Sequence, residues 1–167
     1  MRARARRAAA LLAALLAGAE LSMPCGVATA AEGTISGADA PAGVPDPQRA
    51  WQNWTLNCQG CHRVDGTGSD TTAPSLAGTV AKFLWVPGGR DYLIRVPGVA
   101  TSPLSDADLA EVMNWMLWRF DRADLPAHFE PFSAAEIGPL RGRPLRLEAS
   151  RMRGDLLAKA EARGSPP

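Results

Sequence analysis

Six apolar residues make the clearest pattern in the chain. Leu109, Val112, Met113, Met116, Leu117 and Phe120 recur at i, i+3, i+4, i+7, i+8 and i+11, which places them on one stripe of an α-helix. Ser105-Asp106-Ala107-Asp108 ahead of them reads as a capping box with Asp in place of the usual Glu. The helix therefore starts there and ends near Asp121, before Pro126. An earlier start lies at Asp46-Pro47, an N-cap followed by proline at the first helical position. That helix runs to about Asn57 and its spacing brings Trp51, Trp54 and Cys58 to one side. Residues 62–75 carry Gly66, Gly68, Pro74 and many Ser, Thr and Asp, a loop composition. Leu76 to Val86 predicts a short helix ended by Pro87-Gly88-Gly89, and Arg90 to Val96 another ended by Pro97-Gly98. No run from 46 to 125 alternates with a two-residue period, so the predicted fold class is all-α.

The ends of the chain differ from its middle. Arg2, Arg4, Arg6 and Arg7 precede an apolar run, Ala8 to Ala17, and Ala28-Thr29-Ala30 has the small residues of a cleavage site. Residues 1–30 read as a secretory signal peptide. Glu20 argues against a retained anchor, so no membrane span is expected after cleavage. Met23-Pro24 before Cys25 fits a lipoprotein signal poorly. Residues 31–45 are rich in Gly, Ala and Pro without periodicity and read as a flexible leader. Beyond 125, residues 126–167 read as a basic C-terminal extension, with seven basic and four acidic side chains between 133 and 167. Pro144 could open a helix through Leu147, Leu156 and Leu157, interrupted by Gly154. Charge runs of this kind usually lie on solvated faces. The other reading has Arg141, Arg143, Arg146, Arg151 and Arg153 dock an acidic partner.

Composition bounds the function. At 167 residues with a formal charge of +1, the chain holds one domain with extensions and lacks the basic excess of a nucleic-acid binder. Removing 1–30 takes four arginines and Glu20 from the 18 basic and 17 acidic residues, leaving 14 and 16 and a formal charge of −2. It also takes Cys25, so Cys58 and Cys61 are the cysteines that remain, in an exported and oxidising compartment.

Those two cysteines sit in Cys58-Gln59-Gly60-Cys61-His62. Two thiols three residues apart can each form a thioether to a haem vinyl group, and the adjacent imidazole can ligate the iron. A zinc site would want two further Cys or His ligands, and His128 alone remains; a thioredoxin-like pair would want a βαβ context. The expected cofactor is therefore one covalently attached haem c, with Cys58 and Cys61 as thioether residues and His62 as axial ligand. Trp51, Trp54, Trp85, Trp115 and Trp118 are numerous and read as core and haem-crevice packing. Arg90 reads either as a partner of a haem propionate or as an exposed turn residue.

Residues 47 to 121 resemble the class I c-type cytochromes. The resemblance rests on an aromatic helix, CQGCH, the loop Val64-Asp65-Gly66-Thr67-Gly68, then Ala73-Pro74-Ser75-Leu76-Ala77-Gly78 and the LSDADL start of the last helix. It implies a small helical fold, 46–125, around one haem. It also implies that the Pro74 carbonyl hydrogen-bonds the ring N–H of His62, and that the first and last helices cross with Trp54 and Trp115 near the contact. The family usually supplies a methionine as sixth ligand from the loop before the last helix, yet no Met and no second His lies between His62 and Val112. The candidates are His128, Met113, Met116 and Lys82, or no protein ligand at all.

The function these readings imply is a periplasmic electron carrier moving single electrons between redox partners, such as a periplasmic dehydrogenase and a terminal acceptor, and not an enzyme. Two alternatives stand beside it: an open-site haem protein that binds a small ligand or reduces peroxide, and a haem subunit of a periplasmic dehydrogenase complex.

Overall fold

The computed structural model describes residues 41–69 and 73–164. The expected signal peptide, 1–30, and most of the leader lie outside them. Among the described residues every regular element is helical, with one isolated bridge between Ser69 and Ala73. The described fold is all-α.

Helix α1 spans Pro47–Asn57 and starts where an N-cap and a proline dictate: the Asp46 carboxylate accepts from Arg49 N at 3.0 Å. Its inward face is narrower than the spacing implied. Trp54 is 3% exposed and Cys58 half-buried, while Trp51 is 46% exposed. Helix α2, Gln59–His62, follows at once. A 3₁₀ turn, Val80–Trp85, occupies part of the stretch expected as a helix, then come α3, Gly89–Arg95, and a single turn α4, Pro97–Ala100. Helix α5, Asp106–Asp121, carries the apolar stripe, and all six stripe residues are buried. Ser105 caps it, accepting from Asp108 N at 3.1 Å and donating to the Asp108 carboxylate at 2.6 Å. Such a cap typically contributes about 1 kcal/mol.

Helix α1 packs across α5. Trp54 forms the joint, its ring 5.9 Å from Trp115 and 4.9 Å from Phe120. Glu111, buried on α5, accepts from Arg49 Nε at 2.8 Å and from Asp46 N at 2.7 Å, so the start of α1 is tied to the same face.

The C-terminal extension is not the solvated tail its charge suggests. Two further helices form there, α6 (Ala134–Arg141) and α7 (Ala149–Arg163). Phe132, Ile137, Leu140, Leu145, Leu156 and Ala160 are buried in one core with α1, α3 and α5. Burying a large apolar side chain stabilises by about 1.5–3 kcal/mol, which outweighs the small preference of scattered arginines for solvent. Helix α6 escaped the sequence reading because Pro139 lies inside it, although Ser133 is its N-cap, accepting from Glu136 N at 3.3 Å. Gly154 does not interrupt α7, and Leu147, expected on a helical face, is 99% exposed ahead of it.

The end of the leader is held as well. Val44 is buried, and Asn114, 1% exposed on α5, donates to Gly43 O at 3.1 Å and Phe132 O at 3.0 Å while accepting from Phe132 N at 2.8 Å. One amide thus joins the chain before α1, helix α5 and the extension. The 41–45 part of the expected flexible leader is ordered for this reason.

Candidate functional site

Cys58, Cys61 and His62 share one tight turn. Cys58 closes α1 by donating its N–H to Trp54 O at 2.8 Å, and its own carbonyl accepts from Cys61 N at 3.2 Å and His62 N at 3.1 Å. The three side chains therefore leave the same turn, with Cys58 and His62 half-buried and Cys61 exposed. Burial, and then the neighbouring Cys61, push the Cys58 thiol up to about 11, which keeps it protonated at neutral pH.

His62 is aimed by the loop that follows. Its Nδ1 lies 3.2 Å from the Pro74 carbonyl oxygen. A carbonyl can only accept, so Nδ1 carries the proton and Nε2 keeps its lone pair. Burial lowers the His62 pKa, opposed by the Pro74 bond, so the ring is neutral near pH 7. A neutral imidazole with a fixed tautomer and an unprotonated Nε2, beside two thiols on one turn, is the donor set that an iron porphyrin with two vinyl groups requires. The residues present fit haem c. Trp54 backs the imidazole with a ring separation of 5.9 Å.

The loop returns to His62 through backbone bonds. Gly68 N donates to His62 O at 3.0 Å, Ser69 N to Ala73 O at 2.8 Å, Leu76 N to Gly66 O at 2.8 Å and Gly78 N to Phe120 O at 3.1 Å. Arg63, directly after His62, has φ 63 and ψ 168, a region that disfavours side chains and stores about 1–3 kcal/mol of strain. Strain of this kind persists only where surrounding contacts fix the backbone, and here they fix it beside the imidazole.

The candidates for a sixth ligand are dispersed. Met113 and Met116 are buried in the α5 stripe. Lys82 pairs with Asp124 at 3.8 Å. His128 is exposed in the segment between α5 and α6. Arg90 belongs to neither of its expected roles: it grips Glu136 of α6 through Nε at 2.5 Å and Nη2 at 2.8 Å, with its guanidinium 4.0 Å from the Phe132 ring centroid. Two of the five arginines considered for docking also turn inward. Arg141 donates to Ser102 O, to Leu104 O at 2.8 Å and to Asp106 at 3.1 Å, pinning the segment before α5. Arg153 on α7 donates to Ser75 O at 3.2 Å and stacks 5.6 Å from the Phe83 ring centroid. Sequence reasoning missed both contacts, which span 35 residues or more and leave no local pattern. Among the described residues no three His, Cys, Asp or Glu side chains gather as a metal site, and no helix is long and apolar enough to cross a membrane.

No family model matches the chain. Two curated proteins do, both cytochrome c-552 of Thermus thermophilus. Each is 35% identical over 106 residues, spanning 53% of this chain and 81% of one relative and 72% of the other.

Proposed function

The chain belongs to the class I c-type cytochromes, and from that premise we propose that it is a periplasmic monohaem carrier whose iron is ligated by His62. In this reading it is an electron carrier with redox-protein partners rather than an enzyme, supported by its likeness to the two cytochromes c-552. The finer reading is supported above all by the His62 Nδ1 contact with the Pro74 carbonyl, which leaves Nε2 poised beside Cys58 and Cys61. Haem c, one per chain, supplies an iron that takes up and returns one electron. Cys58 and Cys61 anchor it, His62 binds it in a single tautomer, and the Trp54–Trp115–Phe120 cluster excludes water behind the imidazole. Export is supported by the signal-like pattern of residues 1–30, since periplasmic haem attachment requires it.

A second reading keeps the same haem but leaves the iron open to a small ligand or to peroxide. The observation favouring it is the segment 96–105, which holds no Met, His, Lys or Cys and is pinned by Arg141.

The test is the absorption spectrum of the ferric protein, produced in a host that attaches haem c. A low-spin spectrum supports the carrier, and a high-spin spectrum transfers support to the open site. Cys58→Ser with Cys61→Ser should abolish covalent haem. Haem retained in that double variant, or absent from the wild type, overturns both readings.

A further inference from the structure

We propose that the C-terminal extension positions the imidazole of His62, through Arg153. The inference rests on the reading of His62 as iron ligand.

Two consecutive carbonyls carry the argument. The Pro74 carbonyl accepts from His62 Nδ1 at 3.2 Å, and the next one, of Ser75, accepts from Arg153 Nη2 at 3.2 Å. The peptide between them is held at both ends, on one side by the ring it orients and on the other by a guanidinium from a helix 78 residues away. The imidazole bond sits at the long end of the normal range, where it weakens steeply with small displacement. A few tenths of an ångström of drift in the 73–76 segment would therefore loosen it. The same segment is restrained from the family fold by Leu76 N on Gly66 O at 2.8 Å, while Arg153 is its anchor to the extension. Arg153 is itself fixed: its helix packs along the 3₁₀ turn, and its guanidinium lies over the Phe83 ring. Planar stacking and a directed N–H make arginine hard to replace at such a point.

The consequence is chemical. A strong Nδ1–H to carbonyl bond holds the ring plane and makes Nε2 more basic, which favours the ferric iron. Weakening it should raise the reduction potential. Arg153 acts on the imidazole through the Ser75 carbonyl and is a positioning residue.

The experiment uses the full-length haem-loaded protein with Arg153→Met, Arg153→Lys and Arg151→Met. Two quantities are read: the solvent exchange rate of the His62 Nδ1 proton by NMR of the reduced form, and the reduction potential. Arg153→Met should accelerate exchange at least about tenfold, corresponding to roughly 1.4 kcal/mol of lost protection, and move the potential upward. Arg153→Lys, which keeps a donor and the charge, should fall between it and wild type. Arg151 is exposed on the same helix, so Arg151→Met removes the same charge and should change neither quantity. Unchanged exchange and potential in Arg153→Met overturn the proposal, whatever stability is lost. Equal shifts in Arg151→Met overturn it too, because the effect would then be of charge alone. If Arg153→Met does not fold, wild-type exchange and potential in Arg153→Lys, with lowered stability as the sole change, overturn the proposal. A wild-type chain without covalent haem overturns the proposed function and this proposal with it, whereas covalent haem with unchanged exchange and potential in Arg153→Met overturns this proposal alone.

Discussion

Gly68 and Gly78 offer a matched pair for testing how the loop aims His62. Both glycines have left-handed backbone, φ +63 and φ +62. Alanine at either position meets the same local penalty, about 1–2 kcal/mol, partly offset by the smaller entropy it loses on folding, about 0.4–1 kcal/mol. Their surroundings differ. A Cβ on Gly78 meets nothing within 4 Å, whereas on Gly68 it lies 2.8 Å from the Pro74 carbonyl oxygen and closer still to that of Ala73. Backbone cannot give way as a flexible side chain can. Relief requires the 73–74 segment to move, which stretches the Ser69 N to Ala73 O bond of 2.8 Å and the His62 to Pro74 bond of 3.2 Å. Overpacking costs about 1–3 kcal/mol and each strained hydrogen bond about 0.5–1.5 kcal/mol. Gly68→Ala should therefore be less stable than Gly78→Ala by ~2–4 kcal/mol, a gap in Tm of roughly 5–15 °C for a chain of this size. Urea unfolding followed by circular dichroism measures the difference, and the His62 ring proton reports whether the imidazole bond loosens. Equal losses in the two variants, or a Gly68→Ala protein with an unaltered His62 signal, would refute the idea that these carbonyls are a rigid template.

Two other perturbations address the packing around the site. Asn114→Leu keeps the branched shape with added bulk but strands the buried Phe132 N–H and two carbonyls, so the urea midpoint should fall by the equivalent of ~2–4 kcal/mol with the m-value unchanged. A loss under about 0.5 kcal/mol would mean water replaces the amide. Asp121 is raised to about 6 from its ordinary 3.8, first by burial and then by nearby Asp124, against the Ala81 N–H that it accepts at 2.7 Å. Its folded-state pKa lies above the unfolded one, so its contribution is fully present below about 3.8 and is lost as pH rises through 6. Asp121→Asn still accepts from Ala81, and its stability relative to wild type should improve on the order of 1 kcal/mol between pH 4.5 and 7. A pH-independent difference between the two proteins would contradict this.

Part of this protein was legible from the chain alone because the signals are local. The α5 stripe, the Ser105 and Asp46 caps and the CQGCH turn each depend on residues a few positions apart, and each element formed at its predicted place. The expected Pro74 contact with His62 depended on a resemblance and is present in the structure. Trp51 shows the limit of spacing: periodicity placed it beside Trp54, but the packing of α1 on α5 covers only one of them.

The extension was misread because composition registers charge and not its partner. Arg90, Arg141 and Arg153 look like surface charge in sequence, and only the folded chain supplies Glu136, the carbonyls of 102 and 104, and Ser75. The amino-acid sequence by itself determined the helical class, the CQGCH turn and the imidazole within it, since each follows from neighbouring residues. The tertiary structure decided which arginines face inward, how the extension joins the core, and which candidate ligands are buried, paired or exposed. Those properties arise from contacts 35 or more positions apart, whose geometry exists only once the chain has closed on itself.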